Sequence, residues 1–340
     1  MLVVGLTALL VAMLTAFVLP AVNSGPHKVP IAIAGPERAA ALLAEKVDRA
    51  RPSAFDISLV DDARTVRQRI DDREIYGAVV LGNAPGTPPE VLVASTASPP
   101  IAATLRALAP ALAPAPAGAQ VAVRDLHPLP AADPNGVGLS AGALPLVLGG
   151  YLAAILIVTL LRAPAQRAAT AFGFALTGGF VLTAVLRYGF DVIDGNYPLT
   201  SLAVAFSTAA TCWTIMGLRA VLGAPGLGLG AAMMIFLGNP LSGLAGGPEW
   251  LPSGWGTFGQ FLPPGAGGTL LRSMAFFDGT GSGRALLVLA AWLAFGLALF
   301  VYGSRHGEPG PRPDGDLADR QSSGRKDHPE TAPAQEVPTA

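Results

Sequence analysis

From Leu139 to Leu161 the chain carries no charged side chain, and the run closes on Arg162. A helix needs roughly 20 apolar residues to cross a hydrocarbon core of about 30 Å. Inside that core only a helix or a closed barrel satisfies its own backbone hydrogen bonds. The stretch is therefore read as a membrane-spanning helix. It separates a more charged portion before it from a series of apolar segments after it. Composition points the same way: 51% of residues are hydrophobic and 13% charged, where soluble domains carry about 25% charge. A formal net charge of −1 leaves no electrostatic footprint for nucleic acid. The one cysteine, Cys212, excludes an internal disulfide and a cysteine-only metal cluster. Abundant Gly, Pro, Ala and Arg suit a GC-rich genome of the actinobacterial kind.

Met1–Val22 is one apolar run. No basic residue precedes it, and it exceeds the 7–15 residues of a secretory h-region. An uncleaved anchor is favoured over a signal peptide, with a start site further upstream as the other reading. Asn23–Asn135 differs in composition. Its periodicities predict strand, helix, strand, helix, strand, strand, helix, strand. Leu42, Leu43 and Val47 recur at helical spacing in the first helix. Val66, Ile70 and Ile75 do so in the second, which is read as ending at Gly77. A segment of this length suffices for one small α/β domain with a mixed sheet.

Further apolar runs follow at 168–186, 199–222, 226–244 and 284–302. With the two already named, the expected fold class is an α-helical integral membrane protein of six spans. An extracytoplasmic α/β domain of mixed sheet is inserted between spans one and two. The expected divisions are an anchor at 1–22, the α/β domain at 23–138, a five-span membrane domain at 139–304 and a disordered cytoplasmic tail at 305–340. Short basic loops stay cytoplasmic. Arg162, Arg167, Arg219 and Arg305 share one side of a six-helix arrangement, and Asp191 and Asp194 fall on the other. Both termini are then expected in the cytoplasm of a plasma-membrane protein, with the α/β domain outside.

Signs of catalysis are scarce. No GxxxxGK[ST] loop is present for phosphate, and neither GxSxG nor HExxH occurs. GLGLG at 226–230 follows no predicted strand and reads as close helix packing. His27, His127, His306 and His328 are scattered and read as surface residues. Asp61–Asp62 and Asp71–Asp72 read as solvated acids, Cys212 as buried packing, and Asp191 and Asp194 as outer-loop residues. The chain is expected to be no enzyme by itself and to need no cofactor or metal.

Two stretches stand out. The first is 247–283, where Trp250, Trp255, Phe258, Phe261, Phe276 and Phe277 gather around one basic residue, Arg272. It reads either as an aromatic belt or as interfacial and re-entrant helices, with TLLRSMAFF a short amphipathic one. The second is Gly238–Asn239–Pro240, where proline must break or kink the fifth span. It reads as part of a translocation route or as a packing kink.

Three segments carry a resemblance to a known family: REIYGAVVL (73–81), LPAADPNGVGLSAGALPLVLGG (129–150) and FLPPGAGGTLLRSMAFFDGTG (261–281). Their order, with one span, an outer domain and five more spans, resembles type-2 ABC exporter permeases. It also resembles the phage-infection-protein (YhgE/Pip-like) membrane proteins of Gram-positive bacteria. The resemblance implies a homo- or heterodimer of permease subunits in the lipid bilayer, driven by separate cytoplasmic ATPase subunits. It implies translocation or re-entrant elements around Asn239, Pro240, Pro263, Pro264 and Arg272. It implies an ATPase-coupling loop around Arg162, Gln166 and Arg167. That loop is short and lacks an acidic residue, which departs from members with a fuller coupling helix. The alternative is a non-transporting envelope protein whose outer domain binds a wall component, a protein or a phage.

Overall fold

The structure is a computed structural model that describes residues 1–82, 88–112 and 121–306. The turn expected near 83–87 and the tail from 307 lie outside the described residues. Met1–Ser304 form one compact unit.

After helix α1 (Leu2–Val22) the chain builds β1 (Val29–Ala34), α2 (Glu37–Ala50), β2 (Phe55–Val60), α3 (Ala63–Asp71), β3 (Gly77–Val80), β4 (Glu90–Val93), α4 (Pro99–Leu112) and β5 (Ala122–Asp125). This is the order expected from the sequence. The sheet runs β2-β1-β3-β4-β5, with only the β3–β4 pair antiparallel. Side chains alternate across a strand, and those of β1 divide between two cores. Val29, Ile31 and Ile33 enter one core with Leu43 and Val47 of α2 and Ile101 and Leu105 of α4. Ala32 and Ala34 enter the other with Val66 and Ile70 of α3. The second core is closed by Phe277, contributed from far along the chain.

One boundary is corrected. The second helix stops at Asp71, not at Gly77. Arg73 takes a left-handed φ of 59°, which ends a right-handed helix. Gly77 instead opens β3, where a Cβ would lie 2.6 Å from the Leu92 carbonyl oxygen. Asp62 caps α3 by accepting from the Arg64 and Thr65 amides at 2.7 and 2.8 Å.

The remaining chain is helical: α5 (Val137–Leu160), α6 (Pro164–Ala184), α7 (Tyr197–Leu222), α8 (Ala224–Ala231), α9 (Trp255–Gly259), α10 (Pro263–Phe276) and α11 (Gly283–His306). Among the described residues four helical stretches are long and apolar enough to cross a membrane: Val3–Val22, Pro164–Gly189, Tyr197–Leu222 and Gly283–His306. Shorter apolar stretches occupy Leu148–Leu160 and Ala224–Gly238. The segment expected as a span over 226–244 is therefore helical only to Gly238. It passes from α8 into a π-helical stretch, Ala232–Gly238, and breaks at Asn239–Pro240. Pro240 has no N–H, and its ring collides with the carbonyl four residues back.

Helix α7 is the axis. In its most apolar window 83% of residues are buried, against 22% for α6 and α11 and 6% for α1. Small residues let its neighbours approach. A Cβ on Gly179 of α6 would meet the Ser201 carbonyl oxygen at 2.6 Å, and one on Gly296 of α11 would meet the Trp213 carbonyl oxygen at 2.6 Å. Gly226 and Gly230 of the GLGLG motif press on Leu218 and Ile215 in the same way. Cys212 is buried beside Met216, with its Sγ 3.8 Å from the sulfur.

TLLRSMAFF is the end of α10. That helix is not a surface amphipathic element: Pro263, Pro264, Leu270, Leu271, Arg272 and Ser273 are all buried. It packs along α7, and its polar side chains meet protein instead of water: Ser273 faces Arg73 of the lobe, Thr269 bonds Gln260, and Arg272 bonds Leu244 O.

Replacing Phe277 should test how far lobe and bundle share one core. Truncating a buried Phe costs about 3–5 kcal/mol. Phe277→Ala is therefore expected to lower the melting temperature of the whole detergent-solubilised chain in one transition. A separate low-temperature transition for the lobe would contradict the shared core.

Candidate functional site

The lobe meets the bundle through a polar junction built from three separate stretches. The first is the link from α3 to β3. The left-handed turn at Arg73 points its guanidinium into α10, where it donates to the Ser273 hydroxyl and, at 3.4 Å, to the Thr269 carbonyl oxygen. The same guanidinium lies 5.1 Å from the centre of the Phe277 ring. Three residues on, the Tyr76 hydroxyl donates to the Glu249 carboxylate.

The second stretch is the loop 239–251 that follows the broken helix. Backbone bonds tie it to the exit from α1: the Gly25 N–H donates to Trp250 O at 2.8 Å and the His27 N–H to Glu249 O at 3.0 Å. Three of its carbonyls are held by side chains from outside the loop. Gln260 Nε2 donates to Ser242 O at 2.9 Å, Arg272 Nη2 to Leu244 O at 2.7 Å, and Ser98 Oγ of the lobe to Gly246 O at 2.6 Å. Thr269 Oγ1 orients the Gln260 amide at 2.6 Å.

The third stretch is α10, whose Arg272 is 4% exposed. A buried cation is costly unless it is hydrogen-bonded and compensated. Leu244 O supplies one bond, while Nε has no partner among the described residues. Burial, and then the like charge of Arg73, draw the Arg272 pKa down to about 10; Tyr76 and Glu249 act in the opposite sense. Burial also raises the Tyr76 phenol well above its usual range, and the Glu249 carboxylate adds to that. Arg73, Arg272 and Glu249 together leave one surplus positive charge packed behind the loop.

Beside this junction lies a cavity of about 390 Å³. Its wall includes Phe17 and Ser24 at the end of α1, Ser140 of α5, Asn239, Pro240 and Trp250. A second, more apolar cavity of about 370 Å³ opens along α1 between Leu19 and Phe236, Leu237 and Leu241.

The residues singled out from the sequence fall into two groups. Asn239 and Pro240 line the larger cavity. Pro264 packs against the broken end, 2.6 Å from where a Cβ on Gly238 would lie, and Pro263 stands beside it at the start of α10. Arg272 holds the loop between them, so these five form one assembly. Arg162, Gln166 and Arg167 lie elsewhere, around the link Leu161–Ala163 between α5 and α6. Arg162 and Gln166 are exposed. Arg167 donates to Leu161 O at 2.9 Å and Val158 O at 3.2 Å, satisfying carbonyls that the end of α5 leaves open.

The aromatic cluster divides. Trp255, Phe258 and Phe261 are exposed, whereas Phe277 is buried against the lobe. His127 pairs with Asp71 at 2.8 Å and stacks on Phe277 at 4.6 Å, while His27 Nδ1 lies 2.8 Å from Gly25 O. Among the described residues no group of His, Cys, Asp or Glu is arranged to hold a metal ion. Asp191 and Asp194 are exposed in the loop between α6 and α7.

Ser98, Arg73, Tyr76, Glu249 and Gln260 were not marked out by the sequence. Each partnership spans a long separation, and no local pattern announces it. The junction offers hydrogen-bond donors, a cavity and mechanical linkage between lobe and bundle. In comparison with known proteins, no family model, no curated sequence and no solved structure matches the chain.

The Tyr76 shift has a defined consequence. Its folded pKa lies above the unfolded value of about 10, so the folded chain holds the phenol proton more tightly. That contribution to stability is complete below the unfolded pKa and is lost as pH rises through and beyond it. The stability advantage of wild type over Tyr76→Phe should therefore shrink as pH is raised above about 10, read as the gap between melting temperatures. A gap that stays constant would mean that the phenol ionises freely in the junction.

Proposed function

We propose that the chain is the membrane subunit of an ABC-type exporter, moving a substrate across the plasma membrane with a separate ATPase subunit. The observation that carries this reading is the assembly around the broken helix. A span interrupted at Asn239–Pro240, a helix folded back from Pro263, and a cavity between them form irregular backbone that lines a space. Within a membrane such backbone is tolerated where it is buried in protein or lines a cavity. The lobe is bonded to this assembly through Arg73, Tyr76 and Ser98. Motion of the lobe and of the loop would therefore be coupled.

In this reading α5 and the α8 segment complete six passes, the lobe stands outside, and both termini are cytoplasmic. Arg162 lies on the α5–α6 link, Arg167 at the start of α6 and Arg219 in the last turn of α7, and in this reading these helix ends take the cytoplasmic side. Two copies, as a homodimer or with a related subunit, would enclose the route.

A second reading is favoured by the α5–α6 link. It comprises Leu161, Arg162 and Ala163 alone, and Arg167 is engaged in closing α5. An ATPase would find little to grip. A non-transporting envelope protein would need no such grip, and its lobe exposes Leu42 (60%) and Leu59 (49%) for a partner.

Three measurements separate these. In a Cys212→Ala background, Arg49→Cys should react with an impermeant maleimide on intact cells, and Arg162→Cys only after permeabilisation. The reverse pattern would invert the topology. Affinity purification of the full chain in mild detergent should recover an ATPase subunit with nucleotide hydrolysis, reduced by Arg162→Glu. Recovery of an intact chain without either would end the exporter reading. For the alternative, Leu42→Glu with Leu59→Glu in the full chain should abolish binding to wall fragments or phage, and unchanged binding would reject it. Deleting the lobe is unsuitable, because it would uncover Phe277 and strip Glu249 of its partner.

A further inference from the structure

The loop 242–247 presents backbone donors to the larger cavity. A trans peptide is planar, so the C=O of one residue and the N–H of the next point in opposite directions. Ser242 O is held by Gln260, and Leu244 O by the buried Arg272. The N–H groups of Gly243 and Ala245 must then point away from those partners. Both residues line the cavity. Neither N–H has a partner among the described residues. The Asn239 side chain, also in the wall, likewise has no hydrogen-bond partner among them. Two backbone donors and one side-chain amide thus belong to residues in the wall of one space.

The loop is fixed in this form. Gly243 has a left-handed φ of 67°, and a Cβ there would lie 2.7 Å from Pro248 N. The Gly247 N–H donates to Gly243 O at 2.7 Å, and Ser98 anchors Gly246 O. Unpaired, aligned N–H groups in a turn attract oxyanions. The charge behind the loop agrees, since Arg73 and Arg272 outnumber Glu249. Among the described residues no acidic side chain lines the cavity to repel an anion.

The rest of the cavity is greasy. Phe17, Pro20 and Ala21 of α1 form one side and Trp250 another. Around α1 the second cavity offers Ala12, Ala16 and Leu19 against Phe236 and Leu237. A small soluble anion would leave these surfaces empty. An amphipathic one would cover them, and α1 is a candidate span whose sides are open to lipid.

We propose that this cavity binds the phosphate head of an anionic membrane phospholipid, held by the N–H groups of Gly243 and Ala245 and the Asn239 amide, with acyl chain lying along α1. The binding site depends on membrane insertion and does not depend on transport, so it stands or falls separately from the exporter reading.

The test is native mass spectrometry of the full chain in neutral detergent, titrated with dioleoyl phosphatidic acid, with dioleoylglycerol as the tail-matched control. A hydrogen bond to a charged group is worth about 1.5–3 kcal/mol, so phosphatidic acid should bind at least about tenfold more tightly than dioleoylglycerol. Asn239→Ala should weaken phosphatidic acid about tenfold, by the loss of one such bond. Ala21→Trp, at an exposed wall position, should block both lipids. Inorganic phosphate in millimolar excess should fail to compete. Equal binding of the two lipids, or Asn239→Ala binding as wild type, would overturn the proposal. Full competition by inorganic phosphate would overturn it too, by making the occupant a soluble phosphate. If Ala21→Trp does not fold, the Asn239→Ala comparison and the two-lipid comparison still decide.

Discussion

Close backbone approach to one buried helix underlies the whole bundle. Lipid tails are as apolar as leucine, so helices in a membrane gain little from hiding hydrophobic surface from one another. Dispersion at short range does the work, and it needs small residues. Gly179 and Gly296 bring α6 and α11 against the backbone of α7, and Gly226 brings α8 against Leu218. With α7 enclosed, its Thr200, Thr208, Thr211 and Thr214 hydroxyls are buried. Thr211 and Thr214 donate to carbonyls one turn back, and Thr200 to the carbonyl of Met274 on α10. That last bond carries the axis outward to the folded-back helix and so to the lobe.

The junction is built from a different kind of interaction. Arg73, Tyr76, Ser98, Gln260 and Arg272 each bond to a group far away in sequence. Taking two guanidinium groups into a packed interface is costly, and removing one partner of such a network costs more than the network contributes. The arrangement therefore acts chiefly to fix geometry. It sets the loop 242–247 in one shape, aims two N–H groups at a cavity, and joins the lobe to α10.

Much of the architecture was legible in the sequence because it is periodic. The eight elements of the lobe appear in order, since apolar spacing of two or of about 3.6 residues dictates strands and helices. The uncharged runs likewise marked α1, α6, α7 and α11. Two features were misjudged for physical reasons. Ile75 keeps the helical spacing of Val66 and Ile70, so it concealed the left-handed turn at Arg73. TLLRSMAFF has an amphipathic pattern, yet its polar side meets protein instead of solvent. Of the site, Asn239 and Pro240 were legible as a helix break and Arg272 as an isolated charge, while Pro263 and Pro264 entered only through the family resemblance. Arg73, Tyr76 and Glu249 were not, because nothing local distinguishes them from ordinary surface residues.

The position of Phe277 in the second core of the lobe has a consequence for biogenesis. Strands β1 to β5 and their helices leave the ribosome well before the residue that closes their sheet on one side. Until the segment after α10 arrives, Val66, Ile70, Leu92 and Ile75 share an incomplete pocket. Domains formed during synthesis ordinarily close on themselves as they emerge. Here one side of the second core stays open until Phe277 has been made, and a chain truncated before it would leave that hydrophobic surface uncovered.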